Sequence, residues 1–175
     1  ASYEWVDDKK QAKLTLKQSQ HKDKETPLFK LPLQFKVVTG DGEVVHELLF
    51  ETEDQTFWFN CSEKPKFVSL NPENTVLADW KFEPGRDSLI HQLTFDTDVM
   101  GRVFAAHALA KDHSRTSVEA LGEALLREKF WGVQCEIAAS LGQFGSARAL
   151  ELLIAGTGAK HPKARKSVVK ALGKF

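Results

Sequence analysis

The sequence predicts a multi-domain chain, an antiparallel β-sandwich over residues 1–95 followed by an α-helical array over 96–175. Between Phe29 and Val37 every odd-numbered residue is apolar, which is the period of a half-buried strand. From about Asp98 onward the apolar residues recur every three or four positions, which is the period of an amphipathic helix. The chain is therefore expected to be all-β and then all-α.

Short strands separated by turns account for the first domain. A strand is expected within 12–20, where Leu14 and Leu16 share one face, and another over 27–37. Pro32 cannot donate to a sheet ladder, so the second strand is expected at an edge or at a bulge. An Asp-Gly turn then leads into four further predicted strands, over 44–52, 56–61, 66–70 and 76–82. The turn sequence of Pro84 and Gly85 marks the domain break, which lies within 83–98.

Helices account for the second domain. They are predicted over 98–111, from about 115, over 130–143, over 147–155 and from Pro162. Thr97 and Asp98 suit the N-cap of the first helix, and Thr116 with Glu119 has the spacing of a capping box at the second. Pro162 is tolerated because proline fits a first helical turn.

The helices repeat along the sequence. Residues 133–144 match 164–175 at an offset of 31, and 137–141 match 105–109 at an offset of 32. The intervening helices match at an offset of 29, with Ser117 against Ser146 and Leu121 against Leu150. This pattern indicates about two and a half stacked helical hairpins, an α-solenoid.

The ends of the sequence suggest a truncated array. The apolar residues of the last helix are expected to lack a partner helix, and these are Val168, Val169, Leu172 and Phe175. The chain is therefore expected to be a fragment of a longer protein that continues with more helices.

Composition argues against several classes of partner. The 24 lysines and arginines balance 24 aspartates and glutamates, so no net charge favours nucleic acid or an anionic membrane. No apolar run approaches the about 20 residues of a membrane span. Cys61 and Cys135 are too far apart for a paired metal motif and are expected to be reduced thiols. The sequence does not identify the cellular compartment, and it slightly favours the cytoplasm.

No catalytic or metal-binding residue is predicted within this chain, and substrate-binding residues stay unknown. His46 and Glu47 begin like a zinc-binding helix, but Phe50 stands where the second histidine is needed, and the segment alternates like a strand. His107 and His113 are expected at the surface rather than on a metal.

Other polar groups have structural explanations. His91 with Asp96 and Asp98 could coordinate a metal, but Asp98 suits a helix cap better. Asn60 begins a glycosylation pattern that matters only in a secreted protein. Gly156 follows a helix, so G-T-G is expected to end it rather than bind phosphate. The four tryptophans are expected to fill a core or the space between domains rather than to stack on bases, and they are Trp5, Trp58, Trp80 and Trp131.

A family resemblance rests on four segments that follow one another along the chain. They are W-V-D-D-K-K-Q-A-K-L-T-L-K-Q-S-Q, Q-L-T-F-D-T-D-V-M-G-R-V-F-A-A-H-A-L-A, F-W-G-V-Q-C-E-I-A-A-S-L-G-Q-F-G and K-A-R-K-S-V-V-K-A-L-G-K-F. The first two resemble the region after the catalytic domain of aminopeptidase N family zinc metallopeptidases, the gluzincins. The last two resemble the HEAT-type repeats of that family's C-terminal domain.

The resemblance implies that the parent protein is a zinc aminopeptidase, which removes N-terminal residues from peptides by metal-activated water. The zinc ligands and general base of such enzymes lie upstream, so zinc is expected in a missing catalytic domain and not in this chain. The chain itself would be a non-catalytic accessory fragment that packs on its own catalytic domain and shapes peptide access. The alternative is a non-enzymatic HEAT-type scaffold whose concave face binds a protein partner, because members of this superfamily have lost catalysis.

Overall fold

The structure is a computed structural model that describes residues 1–21 and 26–175. Its contacts divide the chain into two compact units, Ala1–Ser88 and Leu89–Phe175. The sequence placed the end of the β domain at residue 95, whereas a helix already begins at Arg86. The predicted domain break within 83–98 thus contains the first α-helix of the described residues, Arg86–Phe95.

Strands make up the first unit. In the described residues they are β1 (Ser2–Val6), β2 (Gln11–Lys17), β3 (Leu31–Val38), β4 (Glu43–Phe50), β5 (Asp54–Asn60) and β6 (Phe67–Leu70). They form two three-stranded sheets with the orders β1-β2-β5 and β4-β3-β6, and every pairing is antiparallel.

The inward faces of the two sheets make one core. Leu14 and Leu16 of β2 are buried on one side, and Leu33 and Phe35 of β3 on the other. The ring of Phe35 lies 5.1 Å from that of Phe59 on β5, so side chains of the two sheets meet directly. The predicted antiparallel β-sandwich followed by helices is confirmed.

Two details of the β-region prediction are wrong. The strand that holds Pro32 is the central strand of its sheet, but β6 pairs only with Phe35 to Val38, so Pro32 faces just one neighbour, β4. The strand predicted over 76–82 does not form. The side-chain amide of Asn71 instead bonds both the carbonyl and the N–H of Val76, at 2.8 and 3.1 Å, and thereby occupies groups that a strand would offer to a neighbour.

Helices make up the second unit. The first of these helices begins at Arg86, shortly before the start of the unit at Leu89. They are α1 (Arg86–Phe95), α2 (Val99–Asp112), α3 (Arg115–Arg127), α4 (Trp131–Leu141), α5 (Ala147–Gly156) and α6 (Pro162–Leu172). In one layer α2 packs on α4 and α4 on α6, while α3 packs on α5 in the other. Their buried residues form one core that includes Leu109, Leu121, Ile137 and Leu153.

The helix caps correct the repeat register. Asp98 caps α2 as predicted, because its carboxylate accepts from the N–H groups of Met100 and Gly101. The capping box predicted for α3 is wrong, since Ser114 is the cap. Ser146 caps α5, so the two caps lie 32 positions apart (146 − 114) rather than 29. Both layers therefore repeat with nearly the same period.

The last helix is better covered than predicted. Val168 is fully buried, and it lies beside Gly156 of α5. Val169 and Phe175 are 61% and 45% exposed, as the prediction of missing partners requires. One side of α6 thus completes the core and another remains open in this structure.

Candidate interaction surface of the helical array

The histidine of the zinc-like pattern lies on a strand. His46 belongs to β4, is half-buried, and its ring lies 4.5 Å from that of Phe59 on β5. Burial lowers the pKa of His46, so its neutral form is favoured. Within residues 1–21 and 26–175, no group of three or more His, Cys, Asp or Glu side chains is placed to hold a metal ion.

Two histidines of the helical unit contact the next repeat. His107 of α2 lies 2.9 Å from the carboxylate of Glu136 on α4. His113 adopts the left-handed conformation at the C-terminus of α2, and its ring makes an edge contact with Phe144. Both histidines are exposed, as expected, and each also contacts the following repeat.

His91, Asp96 and Asp98, the residues considered as a possible metal site, have separate roles in the structure. His91 stacks on Phe95 of its own helix. Asp96 is buried, and its carboxylate accepts from the N–H of Asp98 and from the amide of Gln92. These bonds anchor the turn between α1 and α2, and the carboxylate of Asp98 is used as a cap.

The exposed faces of α3 and α5 are joined by charged side chains. The guanidinium of Arg148 donates two hydrogen bonds to the carboxylate of Glu119, at 2.8 and 2.9 Å, and a third to Glu151. These bonds hold the pKa of Glu119 below its usual value and raise that of Arg148. The bidentate geometry fixes the relative position of the two helices.

A second ion pair fixes the helix ends. The side chains of Arg102 and Glu128 are only 14% and 10% exposed and lie 2.8 Å apart. Arg102 also donates to the backbone carbonyls of Asp96 and Thr97, at the end of α1. Glu128 accepts from the N–H of Phe130, at the start of α4. One buried pair therefore ties together α1, α2, α3 and α4.

Two clefts open on the helical unit. One of about 410 Å³ lies between α1 and α3 and is lined by Leu93, Ala124 and the Arg102–Glu128 pair. The other, of about 390 Å³, lies at the C-terminal ends of α3 and α5. Both have mixed polar and apolar walls, which suits contact with protein side chains.

None of the four tryptophans lies in a core, because Trp58 is exposed and Trp5, Trp80 and Trp131 are only half-buried. Trp58 is 46% exposed, and Lys9 and Lys13 lie 5.6 and 5.5 Å from its ring centre, so it is a surface cation–π site and not core filler. Trp131 is half-buried, stacks on His161 and lies under Lys163. The spacing of residues along the sequence does not predict these contacts, because each contact joins residues of two separate elements.

The remaining groups fit simple structural roles. Cys61 and Cys135 are both free and half-buried. Burial raises the pKa of Cys61, and it raises the pKa of the neighbouring Tyr3 to about 12. Gly156 is the last residue of α5, as its expected role as a terminator requires. Among the described residues, none of the helices is both long and apolar enough to cross a membrane.

The HEAT-repeat family matches residues 86–173, which is half of the chain and includes α1 to α6. The chain belongs to the HEAT-repeat family. The match begins at the first residue of α1, so the helix missed by sequence reasoning is part of the repeat region.

A solved structure resembles the chain as a whole. It is the crystal structure of Legionella pneumophila aminopeptidase A in complex with aspartic acid, and it matches with a TM-score of 0.57 at 19% sequence identity. The match covers 97% of this chain and 20% of that protein, so the chain spans about a fifth of its length. At this identity the likeness shows a shared fold. Among curated protein sequences, none matches the chain.

Proposed function

We propose that this chain is a non-catalytic accessory region of a zinc-dependent aminopeptidase. In this role it packs on the catalytic domain of the same protein and shapes the access of peptides to the active site. Zinc would be held by that catalytic domain, outside residues 1–175.

One observation carries the proposal. The structural match to aminopeptidase A covers 97% of the chain, so it includes residues of the β unit as well as of the HEAT repeats. HEAT repeats alone occur beside many kinds of domain, whereas a β-sandwich leading directly into them is a more specific combination. The resemblance of the segments around Trp5 and Gln92 to aminopeptidase N family enzymes supports the same assignment.

The geometry of the helical unit suits an access-controlling role. A wall that restricts peptides must keep its shape when it meets a substrate. The Arg148–Glu119 pair links two successive hairpins, the Arg102–Glu128 pair joins the two helices of one hairpin, and the fully buried Ile137 and Leu141 fill the space between helices. The array is thereby expected to move as a body rather than to deform.

Two measurements test the proposal. The gene that encodes this chain is expected to encode, upstream, an H-E-x-x-H helix with a further glutamate ligand. The chain alone, incubated with aminoacyl-anilides and zinc, is expected to show only background hydrolysis. A gene without the zinc motif would contradict the parent activity, and chelator-sensitive turnover by the purified chain, above a mock preparation, would contradict the accessory role.

The second candidate is a non-enzymatic scaffold that binds a protein partner on the helical array. The family match favours it, because HEAT arrays offer long stacked surfaces, and the two clefts beside α3 provide recesses on that surface. An upstream region that lacks the zinc motif, together with binding that depends on residues of these clefts, would favour this function over the first.

A further inference from the structure

The two clefts of the helical unit lie side by side. We refer to the cleft between α1 and α3, of about 410 Å³, as the first cleft, and to the cleft at the C-terminal ends of α3 and α5, of about 390 Å³, as the second cleft. Arg127, Glu128 and Lys129, at the end of α3, line both of them. The end of α3 is therefore the wall between two recesses that are one repeat apart.

The openness of these clefts does not depend on how far the array extends. α5 packs on α3, yet the first cleft, on the other side of α3, is open. A helix that stacked on α5 would have the position relative to α5 that α5 has relative to α3. By the same geometry it would leave the second cleft open. Both clefts are thus features of the spaces between stacked helices and not of the last helix.

Each cleft has aliphatic side chains in its walls. In the first cleft they come from α1 and α3, and they are Ile90, Leu93, Ala120 and Ala124. In the second cleft they are Leu125, Leu126, Ala155 and Ala159. Leu126 is 55% exposed, so an apolar group that entered the second cleft would remove its side chain from water. Both volumes fall at the lower end of the range of about 300–1,000 Å³ that is typical of ligand pockets, so each cleft suits a single apolar side chain.

Positive charge borders the second cleft. Lys129 and Lys160 both line it, and in the part of the chain that the structure describes no carboxylate pairs with either of them. Glu128 also lines this cleft, but its carboxylate lies 2.8 Å from the guanidinium of Arg102, which neutralises it. The second cleft is therefore expected to attract negatively charged groups.

The spacing of the helices determines which backbone conformation can reach both clefts. Helices that pack together lie about 8–10 Å apart, so the two clefts are separated by about that distance. In the polyproline II conformation, with three residues per turn and a rise of about 3.1 Å, residues i and i+3 point the same way and lie about 9 Å apart. In a β-strand these two residues point to opposite sides. A polyproline II segment can therefore place one side chain per turn in each cleft.

We propose that the two clefts bind an extended acidic segment of a partner protein in the polyproline II conformation. Apolar side chains three residues apart would enter the first and the second cleft, and carboxylates between them would meet Lys129 and Lys160. The inference gives the scaffold candidate a partner chemistry, and it rests on that candidate only in taking the helical array as a binding surface. It goes beyond the aminopeptidase proposal and does not depend on it.

The clefts suit an acidic peptide better than single-stranded nucleic acid, which is also extended and anionic. Proteins hold single-stranded nucleic acid largely by aromatic side chains that stack on successive bases. The apolar residues that line the second cleft, Leu125 and Leu126 among them, are aliphatic. Such walls offer contact to an aliphatic side chain and no stacking surface to a base.

The test uses the whole chain and a fluorescent peptide of about twelve residues with the repeat Leu-Glu-Pro, in which proline favours polyproline II and leucine occupies every third position. Binding is measured by fluorescence anisotropy at low and at high salt. We expect saturable binding that weakens with salt, because exposed charge pairs are screened. A peptide with the repeat Ala-Glu-Pro has the same charge without the large apolar side chains, and it is expected to bind at least about fivefold more weakly.

Matched variants separate the clefts from general charge. K129E/K160E is expected to bind the Leu-Glu-Pro peptide at least about tenfold more weakly, since two attractions become repulsions. K64E/K66E reverses two exposed lysines of the β unit, changes the net charge equally, and is expected to bind within about twofold of the original chain.

A second pair of variants tests the apolar wall without changing any charge. Leu126→Ser removes an aliphatic side chain from the second cleft and is expected to weaken binding at least about threefold. Ile154→Ser alters an equally exposed residue of α5 that lines neither cleft, and it is expected to have little effect. Circular dichroism checks that each variant keeps its helices.

Several outcomes would overturn the inference. Absence of saturable binding would refute it outright. Equal losses in K64E/K66E and K129E/K160E, or equal binding of the two peptides, would show attraction without a site in the clefts. Tighter binding to single-stranded oligothymidylate than to the Leu-Glu-Pro peptide would assign the clefts to a different class of ligand. The aminopeptidase proposal is tested by the upstream zinc motif and would stand unaltered in each case, and a protein partner bound elsewhere on the array would leave the scaffold candidate standing.

Discussion

Replacing Ile137 with alanine tests whether the helical unit is held together by the packing of its repeats. Ile137 lies on α4, is fully buried, and belongs to the core shared by both helical layers. The change removes three carbon atoms, which corresponds to about 2.4 kcal/mol of lost transfer free energy at about 0.8 kcal/mol each. The cavity left behind adds to this loss, and the better helix propensity of alanine offsets about 0.4 kcal/mol. We expect the free energy of unfolding to fall by about 3 kcal/mol.

The assay is thermal and urea unfolding followed by far-UV circular dichroism. For a unit of this size, about 3 kcal/mol corresponds to a fall in Tm of roughly 12–24 °C. Ile154→Ala is the matched control, because Ile154 is also in a helix but is 55% exposed. Its effect is expected to stay within about 0.5 kcal/mol. Similar small losses for both variants would refute the packing argument, since the burial of Ile137 would then contribute nothing to stability.

Two further predictions concern a helix cap and a half-buried histidine. Asp98→Ala is expected to cost about 1 kcal/mol, because two N–H groups of α2 lose their acceptor, while Thr97→Ala, measured in the same urea titration, should have little effect. Burial lowers the pKa of His46, so its contribution to stability is complete above the unfolded value near 6.5 and is lost as the pH falls below it. His46→Gln should therefore flatten the decline in the unfolding free energy of the β unit between about pH 7 and pH 5, and an unchanged slope would contradict the assignment to His46.

Local sequence determined the type of most elements. The alternation from Phe29 to Val37 predicted a strand, because a strand that packs one face on a core must bury every second residue. The three-to-four spacing after Asp98 predicted helices for the same kind of reason, and Asp98 itself was recognisable as a cap because its short carboxylate reaches the first free N–H groups. These features depend on neighbours within one element.

The pairing of the strands and the repeat offset of the helices could not be read from the pattern within one element. The apolar pattern at 76–82 resembles that of a true strand, but in the structure the side chain of Asn71 bonds the backbone of Val76 and the segment does not pair. The offset of 29 for the second helix layer rested on matches such as Ser117 with Ser146 and Leu121 with Leu150, whereas the caps at Ser114 and Ser146 give 32. Sequence patterns report which residues are buried, not which surfaces bury them.

By itself, the sequence determined the class of each domain, the presence of helical repeats and the likeness to an aminopeptidase region. Only the tertiary structure decided which charged groups meet. Arg102 and Glu128 are 26 positions apart and Arg148 and Glu119 are 29 apart, so no spacing rule within one helix connects them. The structure also showed that Val168 is covered while Val169, its neighbour, is exposed. The physical reason is that adjacent residues of a helix point about 100° apart, and only the packing of the neighbouring helix determines which direction is buried.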